Sequence, residues 1–437
     1  MNVKMKIVLV KPPSSDNVHP AKGTIRIPIS LAYLAAVCEH AGHEVVIIDG
    51  ELVDGGIESI VRSIAAESPN LVGITGTTVL FPIVSRMTKD LHEIDKTIKV
   101  ILGGPHVSAM PVESIKVSGA DYICIGEGEE VLVRLLNAVS QSKEPDNIQG
   151  LLYLWNNALR GSTTPAKIAD LDLFPFPARH LLDLKAYYDL PRGISTPQDA
   201  LVSSRGCSYR CAFCASAGTG VRFRSIDHIM SELDEIVFKY GTRNIIMMDD
   251  TFTINKERVN AFCKRVIEGE YNITFNMQTR LNTIDPWILE MGIKAGCDSV
   301  CLGIESGNQR ILDDIGKKIT LDLIREKVKI VKEVGVTFRA TYIIGWLDET
   351  EQEILNTIEF AREVDAHESA FCIATPFPGT RLWNDVIKKG LNPGNLDYSK
   401  LHYYFDLGIN LSNVATGRLL ELQQQAHKAV NQRIYKE

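Results

Sequence analysis

The sequence predicts an α/β chain. A doubly wound, Rossmann-like parallel sheet comes first, then a partial (β/α)6 barrel of TIM type, then a small C-terminal helical segment. Three observations carry this. Short apolar runs alternate with amphipathic stretches from residue 5 to about 140, the pattern of parallel strands joined by helices. A proline-punctuated stretch then breaks the pattern, with Pro175, Pro177, Pro191 and Pro197. From residue 200 the alternation resumes for six units, and each apolar run ends in polar or Gly residues, the rim expected of a β/α barrel. The chain therefore divides into 1–140, a connecting segment 141–197, a barrel 198–394 and a tail 395–437.

In order, 5–10 (MKIVLV) is a buried strand ended by Lys11-Pro12-Pro13, 31–40 is a helix and 44–49 (EVVIID) the next strand. Helix 57–66 leads to strand 71–75, which opens into Gly76-Thr77-Thr78. Helix 82–93 precedes strand 99–102, which ends at Gly103-Gly104-Pro105-His106. Strand 121–125 is followed by Gly126-Glu127-Gly128-Glu129 and a helix. Ligands of such sheets sit at the C-terminal ends of strands, where these Gly-rich turns fall. LLYLW and NNALRG suggest a hairpin, and FPFPARHLLDL is expected to pack across both domains.

The barrel strands are expected at 200–204, 244–248, 274–278, 298–304, 337–344 and 369–374, with helices at 227–240, 255–269, 286–295, 321–334 and 351–364. The tail is aromatic at first and helical over 415–435; it should cover the barrel mouth or an edge.

Composition bounds the function. With 45% hydrophobic and 23% charged residues the chain has the make-up of a soluble globular protein. Its net charge of −7 offers no overall basic footprint, so no nucleic-acid partner is expected. The N-terminal apolar run is too short for a signal-peptide core, and no stretch approaches the roughly 20 apolar residues of a span, so no integral membrane segment is expected. Nine cysteines, an odd number with three clustered, suit a reducing cytoplasm and not a disulfide framework.

The clustered three are Cys207, Cys211 and Cys214, spaced C-x3-C-x2-C in LVSSRGCSYRCAFCASAGTGVRFRS at 201–225. Soft thiolates suit iron–sulfur clusters and zinc alike. A structural zinc site wants four closed ligands, and the nearest His is His228, well past the run. Three thiolates can instead hold three irons of a cubane and leave the fourth open.

This segment closely resembles the cluster loop of the radical S-adenosylmethionine (SAM) superfamily. The resemblance implies a [4Fe–4S] cluster whose open iron is chelated by SAM. An electron from it cleaves the sulfonium to a 5′-deoxyadenosyl radical, and an external donor such as flavodoxin or ferredoxin supplies that electron. It further implies SAM contacts from Phe213 beside the third Cys, from Met248, Asp249 and Asp250 at the second strand end, from Gln278 and Arg280 at the third, and from Glu305 and Ser306 at the fourth. Arg280 would fork onto the SAM carboxylate and Glu305 would hold the ribose or the methionine end. Cys263, Cys297, Cys301 and Cys372 are read as structural.

No G-x-G-x-x-G follows the first strand, so a dinucleotide site is not expected. The order of turns there resembles the cobalamin-binding domain that precedes many radical SAM enzymes. On that resemblance Pro12, Thr75, Gly76, Thr77, Gly103, Gly104, His106, Val107, Gly126, Glu127 and Gly128 line the cobalamin site. The D-x-H-x-x-G of methionine-synthase-type proteins is missing after the first strand; Asp16 and His19 have the wrong spacing, and DAHESA at 365–370 lies far outside this domain. A lower axial His is therefore not expected, and His106 is read as a polar loop residue. The implied function is a cobalamin-dependent radical SAM enzyme that methylates an unactivated carbon of a small-molecule or natural-product substrate. The alternatives are cyclisation, rearrangement or oxidation without net methyl transfer, and, outside enzymes, a cobalamin-binding sensor.

Overall fold

The computed structural model describes residues 4–14, 26–156, 158–187, 198–390, 394, 396–402 and 407–430. The chain forms two compact units, Met1–Pro197 and Gln198–Glu437.

In the first unit β1 (Lys6–Lys11), β2 (Glu44–Asp49), β3 (Leu71–Thr75), β4 (Lys99–Gly103) and β5 (Tyr122–Cys124) run parallel in the order β2-β1-β3-β4-β5. The expected hairpin is present as β6 (Leu151–Trp155) and β7 (Ala158–Gly161), which extends the β5 edge in antiparallel fashion. The order reverses beside β1, as in doubly wound sheets. Ile7, Val8, Leu9 and Val10 are all buried, which is why β1 reads as an unbroken apolar run.

Among the described residues six helices flank this sheet: α1 (Ile29–His40), α2 (Gly56–Ala66), α3 (Phe81–Ile94), α4 (Pro105–Ala109), α5 (Pro111–Ser118) and α6 (Glu129–Ser140). α1 and α6 share a core with Ile7, Leu9, Leu71 and Ile101. α1 is apolar on nearly every face because it is buried on nearly every face. The connecting segment lies along it: Ala178 N–H donates to Ala32 O at 2.9 Å and His180 meets Glu39 at 3.1 Å. α4 and α5 fall in a stretch from which sequence reasoning had drawn no helix.

The second unit opens with β8 (Gln198–Leu201), followed by the small antiparallel pair β9 (Ser204–Arg205) and β10 (Arg222–Phe223). Then come α7 (Ile226–Asp234), which runs into a π turn over Glu235–Lys239, β11 (Asn244–Met247), α8 (Lys256–Glu268), β12 (Thr274–Thr279) and α9 (Pro286–Lys294). β13 (Cys297–Glu305), α10 (Gln309–Ile315), α11 (Leu321–Val334), β14 (Thr337–Ile344), α12 (Glu351–Val364), β15 (Glu368–Ile373), α13 (Arg381–Lys388) and α14 (Thr416–Val430) complete it. β8, β11, β12, β13, β14 and β15 lie side by side in chain order, all parallel. Every crossover moves one place the same way, which is the winding of an open β/α barrel.

Side chains alternate across the middle of this sheet. Phe275, Met277, Val300, Leu302, Phe338 and Ala340 are buried in one core with the helices. Asn276, Gln278, Ser299, Cys301, Gly303, Arg339 and Thr341 fall on the other face and are only half-buried or exposed. That inner face is polar. Helix starts are fixed by side-chain caps from Ser225, Asn255, Thr320 and Thr380, and by a capping box of Thr350 with Glu353; each such cap stabilises by about 1 kcal/mol.

α14 packs on β15 and α12, and Gln423 donates to Phe371 O at 2.8 Å, so this part of the tail covers the β15 edge. Among the described residues no helix is long and apolar enough to cross a membrane.

Candidate active site

The three cysteines lie on the loop between β9 and β10. Gly206 starts it at φ 89°, where a Cβ would run into Gly220 O, so only glycine fits the turn. Cys207 and Cys211 are buried and Cys214 is half-buried. The loop is pinned at both ends and at its middle. Cys207 N–H donates to Thr219 Oγ1 at 3.1 Å, Gly218 N–H to Tyr209 O at 2.7 Å, and Ala212 N–H to Ile315 O at 2.8 Å, while Leu382 N–H donates to Ala212 O at 2.9 Å. Burial pushes the Cys214 thiol up, and Asp250, Cys211 and Cys207 nearby push it further. Among the described residues no three His, Cys, Asp or Glu side chains converge on one metal ion. Three cysteine sulfurs on one loop suit three irons of a cubane.

Donors face the sulfurs. Arg280, at the end of β12, aims Nη1 at Cys211 Sγ, 3.0 Å away, and stacks its guanidinium 3.8 Å from the Tyr209 ring centre. Its Nη2 donates to Lys317 O and its Nε reaches Asn282 Oδ1 at 3.4 Å. Thr251 Oγ1 lies 3.9 Å from Cys207 Sγ. A contact from an N–H group is typical of a sulfur that ligates a cluster, so the residues present fit that group.

Lys317, which sequence reasoning passed over in IGKK, ion-pairs with Glu305; both side chains are buried. Glu305 sits at φ 73°, beside a register shift between β13 and β14, and its carboxylate folds back over Gly303, where any Cβ would collide with it. The carboxylate thus already has a partner, and Arg280 is tied to sulfur and carbonyl before any ligand arrives.

The other expected SAM contacts divide. Met248 is 43% exposed, Asp250 is exposed and accepts from Ser216 Oγ at 2.9 Å, Gln278 is half-buried on the inner face, and Phe213 packs beside Cys214 and Ala212. Two are corrected. Asp249 is buried, and its oxygens accept from Ser203 N–H at 3.1 Å, Ser203 Oγ at 2.7 Å and Ser204 Oγ. Burial pushes its pKa up while those hydrogen bonds pull it down. It staples the strand end. Ser306 is likewise buried and bonded to Thr357 and Asn308. Here a polar residue after an apolar strand answers backbone and hydroxyl groups that burial would otherwise leave unmet.

In the first unit the expected turns meet at the strand ends. Gly76 N–H donates to Gly103 O at 3.1 Å, and Gly104 at φ 101° would put a Cβ 2.7 Å from Gly76 O, so the two turns close on each other through glycine. Gly126 N–H donates to Ser108 Oγ at 3.0 Å, and Thr77 and Gly126 are exposed. Small residues, hydroxyls and bare backbone suit the amides and phosphate of a cobalamin tail. His106 and Val107 are both buried. His106 Nδ1 lies 3.3 Å from Thr78 Oγ1 and the ring packs 4.1 Å from Phe81. Burial lowers its pKa to about 4, so it is a neutral packing residue. Glu127 accepts from Ile168 N–H at 2.6 Å, Pro12 is buried, and Gly128 lies against Leu34. Asp16 and His19 lie outside the described residues. In DAHESA, His367 Nδ1 serves Phe338 N–H at 3.3 Å.

Residues 23–136 match the B12 binding domain model and residues 201–361 the radical SAM superfamily model. The chain is 35% identical to an uncharacterized methyltransferase of Pyrococcus horikoshii, over 89% of this chain and 84% of that one. It is 26% identical to the anaerobic magnesium-protoporphyrin IX monomethyl ester cyclase of Rubrivivax gelatinosus, over 82% and 66%. The fold is similar to that of the radical SAM methyltransferase TsrM from Kitasatospora setae, solved with cobalamin and a [4Fe–4S] cluster, at TM-score 0.73 and 18% identity, covering 89% of this chain and 75% of that one.

Proposed function

We infer, from a chain that belongs to the radical SAM superfamily and carries a B12-binding domain ahead of its barrel, that it methylates an unactivated carbon of a small-molecule substrate. The carrying observation is the loop of Cys207, Cys211 and Cys214, with Arg280 aimed at a sulfur. When bound, the cluster supplies the electron that splits SAM and cobalamin carries the methyl group.

The chain's residues bind and orient. Cys207, Cys211 and Cys214 hold the cluster. Phe213, Met248, Asp250 and Gln278 contact SAM, with the Glu305–Lys317 pair and Arg280 bounding the same region. Thr75, Gly76, Thr77, Gly103, Gly104 and Gly126 line the cobalamin slot. The polar inner face, with Asn276, Cys301 and Thr341, receives the substrate and excludes bulk water from the radical. The electron comes from an external flavodoxin- or ferredoxin-like donor, in the cytoplasm.

The cyclase relative favours a second reading, radical chemistry without net methyl transfer. Anaerobic reconstitution with cobalamin, SAM and candidate substrates separates them. S-Adenosylhomocysteine together with 5′-deoxyadenosine supports methyl transfer, and 5′-deoxyadenosine alone supports the second reading. Neither product from an intact cluster would leave a cobalamin-binding sensor. Ala at all three cysteines should abolish cleavage.

A further inference from the structure

We propose that Arg280 sets the reduction potential of the cluster, as a positioning residue on the sulfur of Cys211; this rests on the reading of the cysteine loop given above.

Arg280 is 6% exposed. A buried guanidinium is costly unless a negative charge answers it. Among the described residues it has no carboxylate partner: it meets Cys211 Sγ, Lys317 O, Asn282 Oδ1 and the face of Tyr209. The one partner able to carry negative charge is the sulfur. As a neutral thiol Cys211 leaves the guanidinium uncompensated; as a cluster thiolate it supplies the missing charge.

The geometry is rigid. Tyr209 lies in the cysteine loop two residues before Cys211 and stacks on the guanidinium, while Lys317 O holds the other arm of the fork. Lys317 is itself fixed by Glu305. The N–H is therefore held on the sulfur by an aromatic plate, a carbonyl and a buried ion pair. Such a planar fork loses little freedom on binding, which a lysine at the same place would not match.

Hydrogen bonds to cluster sulfurs, together with local charge and solvent exposure, set iron–sulfur potentials. Reduction adds one electron, from an external one-electron donor, and with it one negative charge spread over irons and sulfurs. The fixed cation stabilises that form. Arg280 thus makes the cluster easier to reduce before SAM is cleaved, a role distinct from clamping the SAM carboxylate.

The test uses the full chain, reconstituted anaerobically with iron and sulfide and titrated without SAM by the electron paramagnetic resonance signal of the reduced cluster. Arg280→Gln should hold wild-type iron and sulfide yet show a reduced-to-oxidised ratio about tenfold lower at a given poise, which is a midpoint about 59 mV more negative. Arg280→Lys keeps the charge but not the fork and should fall between the two. An unshifted midpoint in Arg280→Gln, with SAM affinity weakened instead, would overturn the inference and return Arg280 to the carboxylate. Should Arg280→Gln fail to hold a cluster, the Arg280→Lys midpoint decides, and no shift there overturns it. Loss of the cluster from both variants also overturns it, since Arg280 would then serve assembly. A wild-type chain that assembles no cluster refutes the reading of the loop itself.

Discussion

Replacing Lys317 by Met removes one half of the buried pair behind the cluster loop. Glu305 is 6% and Lys317 4% exposed, so neither charge can turn to water without moving backbone. Glu305 is also held at a positive φ, a conformation that costs roughly 1–3 kcal/mol and persists only when its surroundings enforce it. Removing one partner of such a pair typically costs about 3–5 kcal/mol, because the other charge stays buried alone. Replacing both should cost far less, so Glu305→Gln/Lys317→Met should lie within about 1–2 kcal/mol of wild type. Urea titration of the apo chain followed by tryptophan fluorescence measures this: of four tryptophans, Trp287, Trp346 and Trp383 lie in the second unit. A single-variant loss under about 1 kcal/mol, or a double variant as unstable as Lys317→Met, would refute the reasoning.

Gly206→Ala should unseat the cysteine loop, since the added Cβ meets the Gly220 carbonyl and the left-handed φ costs about 1–2 kcal/mol more; iron bound per chain should drop severalfold, and wild-type loading would show the turn to be less constrained. Glu349 offers a pH test. It is buried, Trp346 N–H reaches one oxygen at 2.8 Å, and burial raises its pKa to about 7 from 4.5. A raised folded-state pKa means stability present below pH 4.5 is lost as pH climbs through about 7. Glu349→Gln should therefore gain on wild type by up to about 3 kcal/mol between those limits and hold the gain above them; a gap that does not change with pH contradicts this.

Much of the fold was legible because its elements are regular. β2, β3, β14, α11 and α12 fall at 44–49, 71–75, 337–344, 321–334 and 351–364, where strong period and caps or Gly ends coincide. α4, α5, α10 and α13 escaped because they are at most eight residues long, and the first three start next to Pro or Asn punctuation that also reads as loop. The cysteine loop was legible from its spacing together with its resemblance to the superfamily's cluster loop. What stands around it was not: Lys317 has no local signal, and its role exists only because α10 ends beside Glu305 and Arg280. Asp249 and Ser306 mark the converse, where a polar residue after a strand meets internal donors and acceptors that only tertiary packing brings near.

The most direct measurement is the Mössbauer spectrum of the chain loaded anaerobically with iron-57, with and without SAM. Three cysteine ligands predict a [4Fe–4S] cluster in which one iron differs from the rest and changes when SAM is added. A spectrum in which SAM changes no iron, or a purified chain holding zinc at these cysteines in place of iron, would contradict the account.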